Sequence, residues 1–397
     1  MAGEFSSSEA EVDYDIEGEV KSRYAAGAQA AEAALCCPVD YDPQFLKIIP
    51  REIIERDYGC GDPSKHVEVG ETVLDLGSGG GKICYILSQK VGSAGTVIGV
   101  DMNDTMLSLA RKYQNQIAQS VGYKNTDFRK GKIQDLALSL DKAQTWLDKN
   151  PIRSIDDVQK FEAECDRLRR EETLIADDSI DVIVSNCVLN LVKPGEKKKL
   201  FGEMFRVLKR GGRCVISDIV WDEPPTDAIL NDPKLWSGCI SGAFGEVEFL
   251  EMFEQAGFYG IEVLVRQFEP WQTIDGVEFR SLTVRAYKGK QGECREHNQA
   301  LIYKGPWKQV KDDDNHMFFR GERMAVCKKT FDLMTDPNGP YAGQVIGVEP
   351  LNAVKSADAE LFDCKRVARR HAKESKGQDY RATTGAGADC CGPDGCC

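Results

Sequence analysis

The sequence is poor in the features that define several large classes of proteins. No apolar run approaches the roughly 20 residues that a membrane-spanning helix requires. Basic residues number 51 against 64 acidic ones, and the net charge of -13 disfavours binding to nucleic acid or to an anionic membrane. The acidic start of the chain is unlike a secretory or mitochondrial leader. We therefore expect a cytoplasmic protein that acts on small molecules.

Histidine is scarce, and cysteine spacing typical of zinc sites is absent. The chain has 4 histidines, and none of its 15 cysteines forms a Cys-x-x-Cys pair, so a structural zinc site is poorly supported. An odd number of cysteines scattered through a long chain of cytosolic composition also argues against a secreted disulfide framework. We expect reduced thiols whose partner, if they have one, is chemically soft.

A short apolar run that breaks into glycine, Thr72–Gly81, predicts a nucleotide-type pocket. Its first half is typical of a buried parallel strand, and its glycines allow a sharp turn beside a ligand. Lys82 stands where a dinucleotide site would have its third glycine, which argues against a pyrophosphate ligand. A second strand ends about twenty residues on at Asp101, the place where ribose hydroxyls are held in such folds. Together these features indicate a donor site.

The rhythm of strands and helices predicts an α/β, Rossmann-like sheet with a small additional domain near the C-terminus. We divide the chain into five segments. These are a disordered acidic arm at 1–20, a donor-binding domain at 21–220 with an insertion at about 137–175, a thiol-bearing substrate region that completes the sheet at 221–288, a C-terminal domain at 289–372, and a flexible cysteine-rich tail at 373–397.

Three cysteines stand at positions that favour contact with a ligand. Cys60 lies between two glycines on a turn before the donor strand, and Cys187 follows a buried strand that should lie next to it. Cys239 lies among small residues in a segment that is a plausible lid. The vicinal pair Cys36 and Cys37, at the end of a predicted helix, is either a ligand or incidental.

The remaining cysteines are less informative. Cys84 and Cys214 fall in apolar patterns typical of core packing, and Cys294, Cys327 and Cys364 have no evident partners in the sequence. The chain ends with two further vicinal pairs, at 390–391 and 396–397, which suit capture of a thiophile or belong to a redox-labile tail with no part in turnover.

The combination of donor loop and three thiols resembles the arsenite methyltransferases that use S-adenosylmethionine, in particular the eukaryotic and algal type. The resemblance covers about 36–287, and the region after about 290 looks like the C-terminal domain of eukaryotic members. It is carried by Tyr58-Gly59-Cys60-Gly61, Asp75-Leu76-Gly77-Ser78-Gly79, Asp101-Met102, Ser185-Asn186-Cys187-Val188-Leu189-Asn190-Leu191-Val192 and Cys239. It implies a class I methyltransferase fold.

The resemblance also implies the chemistry. Cys60, Cys187 and Cys239 would bind As(III) as thiolates, with Cys36 or Cys37 as a fourth, redox-active thiol. Soft thiolates suit trivalent arsenic and would leave it a lone pair that attacks the sulfonium methyl. Each methylation formally oxidises arsenic, so a thiol reductant, thioredoxin or glutathione, would act as co-substrate. The implied products are methylated arsenicals made from arsenite and methylarsenite for detoxification, and we expect the protein to be a monomer.

On the donor side, the resemblance implies a set of residues around S-adenosylmethionine. The sequence departs from the family at Lys82-Ile83, where Arg-Asp is common, and at Gly238, where Glu is common, which puts donor affinity or the electrostatics of the arsenic site in question. The donor set consists of Tyr58, Asp75, Gly77, Ser78, Gly79, Asp101, Met102, Ile133, Gln134 and Asn186.

Two alternatives remain open from the sequence. A carbon methyltransferase of a quinone or a sterol-like lipid would need the same donor half but not the thiols. A non-catalytic, thiol-rich protein that sequesters a metalloid would use the cysteines but not the donor pocket.

Overall fold

The computed structural model describes residues 15–29, 39–56 and 58–376, and the chain divides into two compact units, Met1–Gly289 and Lys290–Cys397. None of the helices in these ranges is long and apolar enough to cross a membrane. In the first unit the strands are β1 Thr72–Leu76, β2 Thr96–Asp101, β3 Thr126–Lys130, β4 Ile180–Asn186, β5 Leu208–Trp221, β6 Phe244–Gly245, β7 Tyr259–Arg266, β8 Gln272–Ile274 and β9 Val277–Tyr287.

The apolar runs predicted as strands form one mixed sheet in the order β3-β2-β1-β4-β5-β9-β7, with β6 paired to β5 and β8 paired to β9. The pairs from β3 through β5 are parallel, whereas β9 runs antiparallel to β5 and to β7. The chain order reverses between β1 and β4. In an open α/β sheet a ligand binds at the carboxyl ends of the strands beside such a reversal. The predicted Rossmann-like fold is confirmed.

Helices flank the sheet, and the longer ones bury apolar side chains. The first unit contains α1 Ile16–Gly27, α2 Pro43–Leu46, α3 Arg51–Glu55, α4 Lys82–Val91, α5 Asp104–Val121, α6 Leu140–Lys149, α7 Ile155–Glu171, α8 Pro194–Val207, α9 Asp227–Leu230, α10 Pro233–Ser237 and α11 Glu246–Gln255, with short 3-10 turns at Pro63–His66 and Leu189–Leu191. The insertion is the pair α6 and α7, whose small core includes Cys165 and Leu168.

The N-terminal segment corrects the expected disordered arm. Residues 16–20 belong to α1, and Ile16 and Val20 are buried against Trp236. Ile16, Val20 and Tyr24 recur every fourth position, which places them on one face of the helix, and that face packs on another element. The acidic residues between them occupy the other faces. Residues 1–14 lie outside the described ranges.

A second correction concerns the residues after α8. The pattern predicts a glycine stop at 209–212 before a strand that starts at Arg213, but β5 begins at Leu208 and runs through the glycines. The Gly211 amide donates a hydrogen bond to the Lys288 carbonyl at 2.7 Å, so the backbone stays joined to the end of β9. Gly211 adopts φ +85°, a conformation that glycine accepts readily.

The second unit has its own core and small sheets. It contains β10 Ala300–Tyr303, β11 Gln309–Lys311, β12 Met317–Phe319, β13 Arg323–Ala325, β14 Val345–Val348, α12 Lys328–Thr335 and α13 Ala372–Lys376. Strand β10 pairs antiparallel with β13 and β14 over a core that includes Leu301 and Phe331. The predicted boundary between domain and tail at 372/373 is wrong, because it cuts α13, whose Ser375 is buried.

Candidate active site

The turn after β1 is built so that its backbone, not its side chains, faces the cleft. Gly77 adopts φ +72°, and a Cβ added there would lie 2.4 Å from Cγ1 of Val188. The amides of Gly77 and Ser78 both donate to the Val100 carbonyl, at 2.8 and 3.1 Å, which fixes the turn to β2. Gly79 also has a positive φ, +49°, but a Cβ there would meet nothing within 4 Å.

A cleft opens over this turn at the carboxyl edge of β1, β2 and β4. Most of the residues that the sequence analysis assigned to the donor lie together in its wall. They are Tyr58, Gly77, Gly79, Asp101, Met102, Ile133, Gln134 and Asn186.

Two members of the predicted donor set lie behind the cleft and not in its wall. Asp75 is buried in β1, where its carboxylate accepts a hydrogen bond from the Cys84 thiol at 3.2 Å. The side chain of Ser78 is buried against β2, close enough that a Cβ on Gly99 would lie 2.8 Å from it. Lys82, where the sequence departs from the family, is also buried, with its ammonium 4.3 Å from the centre of the Tyr41 ring.

Asp101 stands at the end of β2 and is held in place by backbone amides. Its carboxylate accepts hydrogen bonds from Gly79 at 2.9 Å and from Asn103 at 2.8 Å. Burial raises the pKa of Asp101 above its ordinary value, and these amide donors oppose the rise. The side chain thus ties the glycine turn to the start of α5 and is positioned where ribose hydroxyls bind in folds of this type.

Helix α1 contributes residues that the sequence analysis missed. Glu17, Val20, Lys21 and Tyr24 line the cleft. The Glu17 carboxylate forms an ion pair with Lys132 at 2.7 Å. The signal that could have located them was the four-residue repeat of Ile16, Val20 and Tyr24 within the acidic segment.

The Gln134 amide shows how α1 and α8 meet over the donor side of the cleft. Its nitrogen donates to Glu196 at 3.0 Å and lies 3.4 Å from Glu17. These contacts fix the amide orientation, so its carbonyl oxygen is the atom left to accept a hydrogen bond from an amino group of a bound base.

The three predicted thiol residues converge from three separate segments. Cys60 and Cys187 form a disulfide with Cα atoms 5.9 Å apart, and the Cys239 thiol donates to the Cys187 carbonyl at 3.2 Å. Cys187, directly after β4, and Cys239, two residues after α10, both adopt positive φ, +59° and +64°, which is uncommon outside glycine. Cys187 also lines the donor cleft. Cys36 and Cys37 lie outside the described residues.

Asn186, at the end of β4, anchors the turn that carries Cys60. Its side-chain oxygen accepts hydrogen bonds from the amides of Cys60 at 2.8 Å and Gly61 at 3.1 Å. Its side-chain nitrogen donates to the Gly61 carbonyl at 2.7 Å and to the Tyr41 hydroxyl at 3.1 Å. All four contacts are internal, so Asn186 positions the thiol at the edge of the cleft.

Replacing Asn186 with alanine should therefore destabilise the protein by about 2–4 kcal/mol, because the buried amide of Cys60 and the partly buried amide of Gly61 lose their acceptor. Urea unfolding of the reduced protein measures the loss. Asn186→Asp keeps the acceptor but puts an oxygen in place of the nitrogen that donates to the Gly61 carbonyl at 2.7 Å, so it should also be less stable than wild type, and lowering the pH, which protonates the new carboxyl, should reduce the difference. An alanine variant as stable as wild type would contradict this role.

A buried carboxylate beside the thiols was also missed. One carboxylate oxygen of Asp218, in β5, lies within 4.8 Å of the sulfurs of Cys60 and Cys187. The carboxylate accepts hydrogen bonds from the amides of Leu189 and Ile219, both at 2.8 Å. Burial raises the pKa of Asp218 to about 7, which suits proton exchange with neighbouring groups near neutral pH.

Two further titratable side chains, Tyr24 and Lys197, interact with the thiols or with Asp218. The Tyr24 hydroxyl lies 3.8 Å from the Cys239 sulfur, and burial, together with that thiol, raises the pKa of Tyr24 well above its usual value. Burial lowers the pKa of Lys197 to about 8, and its ammonium donates to the Gly242 carbonyl at 2.7 Å. Tyr24 and Asp218, both with a raised pKa, thus lie beside the three cysteines, and groups with perturbed titration near a cleft are typical of an active site.

The fold and the cleft define the class of protein, and comparison with known families agrees. The family described as a methyltransferase domain matches residues 68–176 and 164–257, and a domain of unknown function matches residues 290–380. The first unit therefore carries a methyltransferase domain.

Relatives place the chain within that class. It is 31% identical over 334 residues to an arsenite methyltransferase of Aquipseudomonas alcaligenes, covering 80% of this chain and 86% of the relative. It is 28% identical over 364 residues to the human arsenite methyltransferase, covering 88% of this chain and 87% of the relative. The chain belongs to the arsenite methyltransferase family.

A solved structure extends the likeness to the fold. CrArsM, an arsenic (III) S-adenosylmethionine methyltransferase from Chlamydomonas reinhardtii, is 25% identical to this chain, with a TM-score of 0.53. The alignment covers 82% of this chain and all of that one. The family predicted from the glycine turn and the three thiols is confirmed.

Proposed function

We propose that the chain methylates trivalent arsenic, as arsenite and methylarsenite, with S-adenosylmethionine as the methyl donor. The methylated arsenicals are products of detoxification. The observation that carries the proposal is the position of Cys187: it lines the donor cleft and is also joined to the other two thiol-bearing segments. A thiol-bound substrate at this point would face the donor across the cleft.

The donor residues fit S-adenosylmethionine by their chemistry. The backbone of Gly77 and Gly79 leaves the floor of the cleft free of side chains, and Asp101 and Gln134 offer oxygen atoms to ribose and adenine. Tyr58 lies in the wall, its hydroxyl held by the Gly27 carbonyl at 3.1 Å. When bound, S-adenosylmethionine supplies a methyl group on a sulfonium, whose departure as a neutral thioether favours transfer.

The acceptor side requires reduced cysteines. The Cys60–Cys187 disulfide must take up two electrons before both sulfurs can bind arsenic, and this accounts for a thiol reductant as co-substrate. Three thiolates of Cys60, Cys187 and Cys239 would then hold arsenic in a pyramidal arrangement with its lone pair free. Soft thiolate ligands match trivalent arsenic better than oxygen ligands do.

Methyl transfer takes place in two steps, a nucleophilic displacement and a reduction of arsenic. The arsenic lone pair forms the As–C bond while the electron pair of the C–S bond returns to the donor sulfur. Arsenic is formally oxidised from +3 to +5, and two thiols return it to +3 by forming a disulfide. No general base is needed, so orientation carries most of the catalysis, and orientation is worth about 7–11 kcal/mol for well-aligned reactants.

Two other functions fit the chain less well. A carbon methyltransferase of a quinone or a sterol-like lipid would not need cysteines from three segments joined at the cleft edge. A non-catalytic metalloid-binding protein would not need the glycine turn, Asp101 and Gln134 arranged around one cleft.

The test is turnover with the full chain. Purified protein is incubated with S-adenosylmethionine and arsenite, with and without glutathione or a thioredoxin system, and arsenic species are separated by mass-detected chromatography. We expect mono- and dimethylated products only with reductant. If no methylated arsenic forms at saturating donor and reductant, the proposed function is wrong, and arsenite binding without turnover would favour the sequestering protein.

Removal of residues 377–397 is expected to leave methylation within about twofold of the full chain, since all residues of the proposed donor and thiol sites precede residue 240. The cut belongs after Lys376 because the Ser375 carbonyl accepts a hydrogen bond from the Leu351 amide at 2.8 Å, and Glu374 pairs with Arg370 at 3.3 Å. A cut after Lys373 would remove both contacts. Leaving a buried hydrogen-bonding group without its partner lowers the free energy of unfolding by about 1–3 kcal/mol. Initial rates at saturating donor measure the effect, and loss of turnover in the 377–397 deletion would make the tail part of the catalytic path.

We also propose a cytoplasmic location and a monomeric state. The net charge of -13 supports the first, since it disfavours attraction to an anionic membrane. Analytical ultracentrifugation of the reduced protein tests the second.

A further inference from the structure

Three cysteines that are far apart in the sequence meet in the second unit. The sulfurs of Cys294, Cys327 and Cys364 all lie within 4.8 Å of one another. Metal–thiolate bonds are about 2.3 Å, so two sulfurs on one ion are at most about 4.6 Å apart. The three thiols therefore need little movement to share one ion.

Backbone contacts hold each of the three segments in place. The Cys294 carbonyl accepts a hydrogen bond from the Phe362 amide at 2.8 Å, and the next residue, Arg295, forms a β-bridge with Leu361. The Arg295 carbonyl in turn accepts from the Lys328 amide at 2.9 Å, which ties down the segment that contains Cys327. This fixed arrangement lowers the cost of ordering the ligands around an ion.

The burial of the three thiols also suits a binding site. Cys327 is fully buried, whereas Cys294 and Cys364 are half-buried and therefore reachable from solvent. The Cys327 sulfur caps α12 by accepting from the Thr330 amide at 3.4 Å, which gives Cys327 a structural role. Capping does not account for the other two thiols, which are the ones that solvent can reach.

The ligand set favours trivalent arsenic over zinc. Within the described ranges, no histidine or carboxylate joins the three sulfurs, whereas structural zinc sites are almost always four-coordinate. The ammonium of Lys329 interacts with the Cys294 thiol and donates to the Gly292 carbonyl at 3.0 Å. A positive charge at the rim opposes entry of a divalent cation and does not oppose neutral arsenous acid.

We propose that Cys294, Cys327 and Cys364 form a second, non-catalytic site that binds trivalent arsenic. Binding is an exchange without oxidation: three S–H groups replace the three hydroxyls of arsenous acid, three As–S bonds form, and three waters leave. Arsenic stays at +3 and no co-reactant is needed. The choice of arsenic as ligand rests on the proposed function, whereas the three-thiol cluster does not.

The test counts arsenic on the full-length chain after the other candidate thiols have been changed to serine. Two variants are compared in this background. One adds Cys294→Ser and Cys364→Ser, and the matched control adds Cys165→Ser and Cys214→Ser, both buried outside the cluster. The background carries serine at Cys36, Cys37, Cys60, Cys187, Cys239, Cys390, Cys391, Cys396 and Cys397.

Reduced protein is dialysed against arsenite, and arsenic and zinc are measured by elemental mass spectrometry. We expect one arsenic per chain in the background and in the control, and a loss of affinity of about 10²–10⁴-fold in the cluster variant, because linked ligands act as one multivalent site. X-ray absorption should count three sulfur neighbours around arsenic. Thermal unfolding confirms that each variant is folded, and the single change Cys364→Ser is the second variant if the double change is not.

Three results would overturn the site: no bound arsenic in a folded background, equal binding by the cluster variant, or one zinc per chain that arsenite does not displace. Methylation by the unsubstituted chain is measured in parallel. A background that binds arsenic while the unsubstituted chain makes no methylated product would preserve this site and reject the proposed function. Turnover without binding in the background would do the reverse.

Discussion

Replacing Cys239 with serine is expected to abolish methylation of arsenite, a fall of about 10²-fold or more even if arsenite still reaches the cleft. A hydroxyl is a hard ligand and a poor substitute for a thiolate on a soft centre, so arsenic would lose one of three bonds and its fixed orientation. Cys239 is the best thiol to change because it lies outside the Cys60–Cys187 disulfide. We expect Cys187→Ser to abolish the reaction as well, but that change also removes the disulfide.

Two measurements separate loss of the arsenic ligand from loss of the fold. Binding of S-adenosylmethionine, followed by calorimetry, should change little in Cys239→Ser, since Cys239 does not line the donor cleft. Cys214→Ser is the matched control, because Cys214 is equally buried but its thiol faces the Ala286 carbonyl within the sheet. Turnover of arsenite by Cys239→Ser at a rate near that of the control would remove Cys239 from the proposed ligand set.

The donor half of the site was readable from the sequence because its signals are local. The strand before Gly77 and the carboxylate at Asp101 fall within a single βαβ unit, whose spacing is set by the fold. The loops that carry Cys60, Cys187 and Cys239 were predicted to contact a ligand because they lie next to strand ends or among small residues. That the three cysteines meet depends on how the whole sheet folds. Ligand roles of these cysteines were implied by the family and stay predictions.

The parts that the sequence did not reveal depend on contacts between distant segments. Asp218 lies in an apolar strand, and only the approach of β4 and the Cys60 turn shows that its carboxylate faces thiols. The acidic residues around Ile16 and Val20 suggested a disordered segment. That prediction was wrong because the surface that buries these two side chains is supplied by residues some two hundred positions later, which a local pattern does not show. The Cys294 cluster was missed for the same reason.

Gly77→Ala is expected to weaken binding of S-adenosylmethionine far more than Gly79→Ala, although both residues belong to one turn and both adopt positive φ. Each alanine costs about 1–2 kcal/mol for the left-handed backbone. Only the methyl group on residue 77 would meet another side chain, lying 2.4 and 2.6 Å from the two methyls of Val188. Overpacking of this kind costs about 1–3 kcal/mol more, or about 5- to 150-fold in donor affinity if the turn must shift to relieve it.

A double-mutant cycle tests whether Val188 is the cause. Val188→Ala removes the two methyls that alanine at residue 77 would contact but keeps the Val188 Cβ, 2.9 Å from the new methyl, so the double variant Gly77→Ala/Val188→Ala should regain part of the donor affinity lost in Gly77→Ala, after correction for Val188→Ala alone. Calorimetry gives donor affinity, and thermal unfolding without donor shows how much of the clash is absorbed as lost stability. If the effects of the two changes on the free energy of donor binding were strictly additive, contact with the Val188 methyls would not be the cause. Backbone strain alone would then account for the weaker binding, and the donor turn would not be coupled to the loop that contains Cys187.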